Sequence, residues 1–549
     1  MQPIITTEAN TLVTFSFRAS GVYQNPFKEV ILDAVFTTPS GAALTIPAYW
    51  AGGNEWCVRY ASAENGLHTF ITQCNAVDSG LHLQTGSVNI TAYSGESLLK
   101  RHGAPRVADD HRHLAYADGT PFFWLGDTWW MGLTKRLTWP EDFKQLVANR
   151  KKHGFTVVQI VAGLLPDMPA FDARGENEAG FPWEEDFSSI RPAFFDAADQ
   201  RILNLVEADL VPCIIGAWGY YLKWLGTENM QHHWRYLVAR WGALPVVWVA
   251  AGEQTMPWYL SNIKQIEREQ LKEAWTEVLL AIRKVNGFKR LITTHPVQSA
   301  RESVRINCAH LLDVEMQQTG HGNPTAHHAQ KAAEGWHATP IMPVINGESR
   351  YEGLAIYPPV SARDARQAFW AHMLNSGCAG HTYGANGIWQ VNLSAQAFGQ
   401  SPTGLNWGTT PWQHAMQYQG AQQIAAAKRY LQTLPWYSLQ AHCQPMAKWK
   451  KLWRRISAKL SSSPSPDTIS AAAINADKTL ALYYVSAEQP LALNMRQFPN
   501  AMVANWFDPA AGALLESAKL HIKNTGTYTF KPPRRNADGD EDWILVLQN

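Results

Sequence analysis

The feature that most constrains this chain is an alternation that begins near Asp118, in which short apolar runs are each followed by a segment rich in Ala, Leu, Lys and Glu. Short apolar runs suit strands buried on both faces, and the segments between them have helical length and composition, so the pattern predicts parallel βα units. The runs are Phe122–Leu125, Val157–Val161, Val211–Ile215, Val246–Val249, Leu291–Thr294, Leu312–Glu315, Val344–Asn346 and Gly380–Tyr383. Eight such units over roughly 260 residues predict an α/β fold, a (β/α)8 TIM barrel, whose active site would sit at the C-terminal ends of the strands.

The flanks read differently. Residues 11–93 carry period-two runs such as Leu12–Phe17, Val30–Phe36 and Val88–Tyr93, broken by turn residues at Thr38–Gly41 and Ala51–Asn54, which predicts a β-sandwich. Beyond a helical stretch at Pro411–Leu434, Ser461–Asp467 is a polar, proline-bearing linker. Strand patterns then resume at Ala471–Val485, Ala501–Phe507, Gly526–Phe530 and Trp543–Leu547, the pattern of a second, smaller sandwich. The expected domains are therefore an immunoglobulin-like sandwich (1–97), a catalytic barrel (98–445) and a C-terminal sandwich (446–549). A chain of 549 residues has the length for several cores.

Composition narrows the function. With 46% hydrophobic residues, 17% charged residues and a formal net charge of +1, nothing points to nucleic acid. The one dense basic run, Lys448–Arg455, reads as a domain-junction segment. No run of about 18 apolar residues suggests a membrane span, and Met1–Asn10 lacks the basic and apolar regions of a signal peptide. The expectation is a cytoplasmic protein, or a periplasmic or secreted one if a signal has been removed. Six cysteines show neither CxxC pairs nor zinc spacing, so no metal or organic cofactor is expected. The oligomeric state is open. Motifs for zinc proteases, serine hydrolases, P-loops and dinucleotide binding are absent.

Two strand ends deliver acids. The fourth run reads Pro245-Val-Val-Trp-Val-Ala-Ala-Gly-Glu253, and the seventh reads Pro343-Val-Ile-Asn-Gly-Glu348. Strands four and seven of a barrel face one another across the pocket, where glycoside hydrolysis needs a proton donor and an opposing carboxylate. Glu253 is the expected acid/base, its pKa raised by an aromatic pocket and a second carboxylate, and Glu348 the ionised nucleophile. Glu352 is read as structural. Asp127, ending the first run, either receives a sugar hydroxyl or caps the next helix. His295, Gln317, His321, His381 and Tyr383 also reach strand ends, as hydroxyl-binding or merely packed side chains. Tryptophan is abundant at 24 residues, and Trp129, Trp218 and Trp389 are candidates for stacking on sugar rings, core packing being the alternative.

Several segments carry a resemblance. In the front domain they are Ile46-Pro-Ala-Tyr-Trp50, Gly53 and Trp56-Cys-Val-Arg-Tyr60. In the barrel they are Pro121-Phe-Phe-Trp-Leu-Gly-Asp-Thr-Trp129, Asn346-Gly-Glu348, Tyr351-Glu352 and Gly380-His-Thr-Tyr-Gly-Ala-Asn-Gly-Ile-Trp389, and at the rear Ala504-Asn-Trp-Phe-Asp-Pro509. Over nearly its whole length the chain resembles the apiosidase-like glycoside hydrolases, a barrel preceded by an immunoglobulin-like domain and followed by a small sandwich of collagen-binding label. The resemblance implies a retaining clan with acid/base and nucleophile after strands four and seven, and an oligosaccharide substrate of plant cell-wall origin, attacked from its end. The chain departs from the characterised apiosidase type, which has an aspartate after paired glycines where Ala251-Gly-Glu253 stands here. The resemblance therefore carries the reaction class and leaves the sugar open. The remaining alternatives are a carbohydrate-binding protein on a retained barrel, or a lyase or isomerase, which would want a metal triad or a strand-end lysine.

Overall fold

The computed structural model describes residues 4–356, 358–442, 470–488 and 490–549. The basic run at Lys448–Arg455, the linker at Ser461–Asp467 and Cys443 lie outside the described residues.

Eight parallel strands form the central sheet: β1 (Trp124–Trp129), β2 (Val157–Val161), β3 (Val211–Ile215), β4 (Val247–Val249), β5 (Ile292–Thr293), β6 (Glu315–Gln318), β7 (Val344–Glu348) and β8 (Gly380–Tyr383). Their order is β5-β4-β3-β2-β1-β8-β7-β6, a ring open only between β5 and β6. Even that seam is laced: the Asp313 amide donates to Ile292 O at 2.8 Å and the Thr293 hydroxyl to Val314 O at 2.8 Å. This is a TIM barrel flanked by β-sheet domains. Its longer helices are α1 (Glu141–His153), α2 (Pro192–Glu207), α3 (Thr227–Trp241), α4 (Lys264–Val285), α5 (Thr325–Trp336), α6 (Ala362–Asn375) and α7 (Gln419–Leu431).

Local chemistry explains the helix ends. In α1, acids occupy the first turn, bases the last, and Gly154 closes it in the left-handed region at φ +80°. A reciprocal pair of hydrogen bonds between Ser361 and Asp364 opens α6. Two strands start two or three residues later than expected. The first begins at Trp124 because Pro121–Phe122 pairs instead with Leu114–Tyr116 in a small antiparallel sheet. The sixth begins at Glu315, since Ala309–Leu311 winds into a 3-10 turn before the chain reaches its β7 partner. Only two short 3-10 turns, Arg301–Ser303 and Ala309–Leu311, stand between β5 and β6 where a full helix was expected.

The front domain packs a five-stranded sheet on a three-stranded one, the latter holding Val13–Arg18, Glu55–Tyr60 and Tyr49–Gly52. It docks through Asp199 of α2, which accepts from Arg59 at 3.1 Å, from Arg240 at 3.1 Å and from the Trp241 indole at 2.6 Å. The rear domain is built on a seven-stranded sheet, whose edge strand Leu439–Ala441 is the end of the barrel segment. In its next strand Ala471 and Ala473 pack on the barrel, while Ala472 and Ile474 enter the domain's own core, the two-residue alternation of a sheet buried on both faces. Arg366 of α6 reaches into this domain, donating to Asp542 at 3.0 and 2.8 Å and to Asp540 at 2.6 Å. Among the described residues no helix is long and apolar enough to cross a membrane. Cys57 and Cys74, in the front domain, are both free thiols; Cys57 is buried and Cys74 only half-buried.

Candidate active site

A cavity of about 270 Å³ opens at the C-terminal mouth of the barrel. Loops after β2, β4, β6, β7 and β8 contribute to its wall, together with Trp130 after β1 and Trp218 after β3. Two carboxylates face each other inside. Glu253 follows β4 and has φ +41°, a left-handed backbone costing about 1–3 kcal/mol at a non-glycine residue. The turn that carries it needs Gly252, because a Cβ there would lie 2.1 Å from the Trp218 ring. The Trp218 indole in turn donates to Glu253 Oε2 at 3.3 Å.

Glu348 ends β7 and is the more heavily clasped. His295 Nε2 stands 3.2 Å from its Oε2, and His321 Nε2 stands 3.1 Å from its Oε1. The other ring nitrogen of His321 lies 2.7 Å from the Ser349 carbonyl, so both nitrogens face acceptors and only the imidazolium can donate to both. Between the carboxylates sits Gln318, whose Nε2 donates to Glu253 Oε1 at 3.1 Å and to Glu348 Oε1 at 2.8 Å.

This arrangement drives the two acids apart in ionisation. Burial, and then the charge of Glu348, pushes Glu253 up to about 7. Burial alone would raise Glu348 too, but the close approach of the His295 and His321 rings holds it well below the usual carboxylate range. Burial likewise disfavours the charged form of His321, yet its bond to Glu348 carries its pKa above the ordinary histidine value. Below about pH 7 the site thus presents one protonated and one ionised carboxyl group, the pairing that acid-assisted displacement at an acetal carbon requires.

Of the residues expected from sequence, Glu253, Glu348, Trp218, His321 and Trp389 line the cavity, and His295 touches it through Glu348. Five others do not reach it. Asp127 is buried outside the barrel wall, accepting from Arg150 at 2.6 Å and from the Trp129 indole at 2.7 Å, and so neither binds sugar nor caps a helix. Trp129 packs edge-on to Phe143 of α1. Gln317 donates to Lys331 O of α5 at 2.9 Å and meets His372 of α6 at 3.3 Å. His381 packs on Phe369 of α6, and Tyr383 donates to Glu352 at 2.6 Å. Side chains of a strand alternate between faces, and in each case the neighbour points inward: Trp130 beside Trp129, Gln318 beside Gln317, Thr382 between His381 and Tyr383. Glu352 is structural, as expected, taking Tyr383 and the Gly420 amide.

Sequence reading passed over Trp130, Asp167, Tyr259, Gln318, Tyr351 and Trp407, all in the cavity wall. Trp130 directly follows a segment already singled out and Tyr351 stands within another, three residues from Glu348; Asp167, Tyr259 and Trp407 lie in loops without periodicity. A bulge explains Gln318: β7 pairs Asn346 with Gln317 and Glu348 with Gln318, skipping Gly347, which brings Gln318 beside the nucleophile position.

Comparisons with known proteins agree with this geometry. Residues 108–438 match the family model described as the apiosidase-like catalytic domain. Residues 6–75 match a domain of unknown function (DUF5060), and residues 462–548 match a collagen-binding domain model drawn from a collagenase. No curated protein matches the chain. A glycoside hydrolase family 5 structure from Bacteroides vulgatus ATCC 8482 is 19% identical with a TM-score of 0.64, covering 82% of this chain and 94% of that one. A second Bacteroides vulgatus structure, provisionally named a glycoside hydrolase, is 15% identical with a TM-score of 0.69 and covers 99% of each chain. At these identities the likeness speaks for the fold.

Proposed function

The chain belongs to the apiosidase-like glycoside hydrolases, and from that premise we propose that it is a retaining enzyme in which Glu253 is the acid/base and Glu348 the nucleophile. The observation that carries this reading is the Gln318 bridge. One nitrogen reaches both carboxylates, at 3.1 and 2.8 Å, so the two bound oxygens lie no further apart than the sum of those lengths, roughly 6 Å. Inverting enzymes hold their acids roughly 6.5–9.5 Å apart to admit a water, whereas retaining ones hold them at about 5–5.5 Å.

The chemistry follows from the ionisation. The Glu348 carboxylate attacks the anomeric carbon as Glu253 gives its proton to the departing glycosidic oxygen, leaving a glycosyl ester on Glu348. Glu253, now ionised, takes a proton from water, which attacks the same carbon and frees the Glu348 carboxylate. His295 and His321 favour the charged nucleophile and steady its orientation. A cavity of about 270 Å³ is at the small end for ligand sites, which supports action at chain ends on short oligosaccharides. Trp130, Trp218, Trp389 and Trp407 in the wall supply flat apolar faces for sugar rings. Plant cell-wall fragments of pectic or hemicellulosic origin are the proposed source.

The test is stereochemical. Hydrolysis of an aryl glycoside followed by proton NMR should show the product sugar first in the configuration of the substrate. Initial release of the opposite anomer would overturn the double-displacement reading.

A further inference from the structure

The cavity wall contains a third acid. Asp167, from the loop after β2, lines the same space as Glu253 and Glu348. The Tyr259 phenol donates to its Oδ1 at 2.8 Å and accepts from its backbone N–H at 3.3 Å, so the carboxyl is held by a residue of another loop, after β4. Burial raises the pKa of Asp167, hydrogen bonding from Tyr259 opposes that rise, and the nearby charge of Glu348 adds to it. Neither Glu253 nor Glu348 is hydrogen-bonded to it, and the acid/base cycle described above does not use it.

The rest of the wall is equally one-sided in charge. Among the described residues sixteen line the cavity, none of them lysine or arginine, and the one cation among these, His321, is already paired with Glu348. Arg174, the guanidinium whose charge reaches Asp167, is bound by both oxygens of Asp172 at 2.9 and 2.7 Å and points to another loop. The free polar groups are those that bind hydroxyls. The buried Trp389 indole N–H has no partner among the described residues, nor has the Gln318 carbonyl oxygen.

We propose that this cavity selects a neutral sugar, with Asp167 receiving its hydroxyls, and rejects uronic acids. This deepens the reading of the cavity as the catalytic site and depends on it. A uronic carboxylate would enter a low-dielectric space holding acids and, among the described residues, no free cation, where an unpaired charge is strongly disfavoured. A hydroxyl, by contrast, gives Asp167 a donor and accepts from the indole of Trp389. The substrate class is thereby narrowed to neutral residues of cell-wall oligosaccharides, with galacturonan backbones excluded.

Calorimetric titration of the Glu253→Gln protein with gluco-, galacto- and xylo-configured disaccharides, and with the hexose pairs' uronic counterparts, tests this directly. Neutral ligands should bind, and their uronic counterparts should bind at least about 10-fold more weakly. Adding Asp167→Asn, which keeps the shape and tolerates the left-handed backbone at φ +60°, should weaken neutral binding about 10-fold or more. Tyr259→Phe, releasing the carboxyl from its anchor, should weaken it less. Equal binding of uronic ligands, unchanged affinity in the Asp167→Asn protein, or no neutral binding at all would each overturn the proposal. Selective neutral binding without turnover of the same ligands by wild type would leave it standing and count instead against the catalytic assignment.

Discussion

The two faces of the barrel wall carry the same kinds of residue and use them in opposite ways. On the outer face Asp127 is matched to Arg150, Tyr383 to Glu352 and Gln317 to Lys331 O, each group finding its partner within the fold. On the inner face Glu253 and Glu348 confront each other, and a single amide and two histidines distribute one proton between them. Outside, polar side chains are neutralised so that helices can pack on strands. Inside, they are left unequal, which is what reactivity consists of. A strand-end acid is therefore not informative until its face is known.

The largest effect separating the faces should come from Glu348→Gln. It removes the attacking carboxylate, so kcat on an activated aryl glycoside should fall by about 10⁴-fold or more, with the thermal unfolding midpoint within about 5 °C of wild type. Near-normal turnover would dissolve the distinction drawn between the faces.

The mirror experiment is Asp127→Leu on the outer wall, which strands the Arg150 guanidinium in a fully buried site. Denaturant unfolding should show a loss of about 3–5 kcal/mol, while the folded protein keeps kcat/KM within about twofold. A large catalytic loss without a stability loss would mean that Asp127 communicates with the cavity after all.

Gln318→Leu should have a far smaller effect on rate than Glu348→Gln and a diagnostic one on pH. Catalysis needs Glu253 protonated, so activity declines as pH rises through its pKa, near 7. The Gln318 N–H favours the ionised form of Glu253, so its removal raises that pKa and moves the alkaline limb of kcat/KM to higher pH, with about a 10-fold loss of rate. A limb that stays or moves down would show that Gln318 only fills space.

What could be read without coordinates follows the strength of the periodic signal. The runs Val157–Val161 and Val211–Ile215 are strands at the expected limits, since short stretches dominated by Val and Ile between helices admit little else. The sixth run was misplaced because Leu311 and Leu312 are buried as part of a turn, and burial alone does not distinguish strand from turn. The strand-end acids were legible because a buried run leads straight into each. Asp167, Tyr259 and Trp407 were not, because they sit in loops whose paths are set by packing against other loops.

Local sequence thus determined the barrel, its two flanking sheet domains and the pair of acids after β4 and β7, because hydrophobic periodicity and strand-end position are written along the chain. Which face each neighbour takes was decided only in three dimensions. Barrel strands are buried on both faces, so their sequence does not encode parity, and the bulge at Gly347 shifts the register where it matters. The unequal ionisation of Glu253 and Glu348 is likewise a tertiary property, created by burial and by His295, His321 and Gln318 arriving from other strands at contact distance.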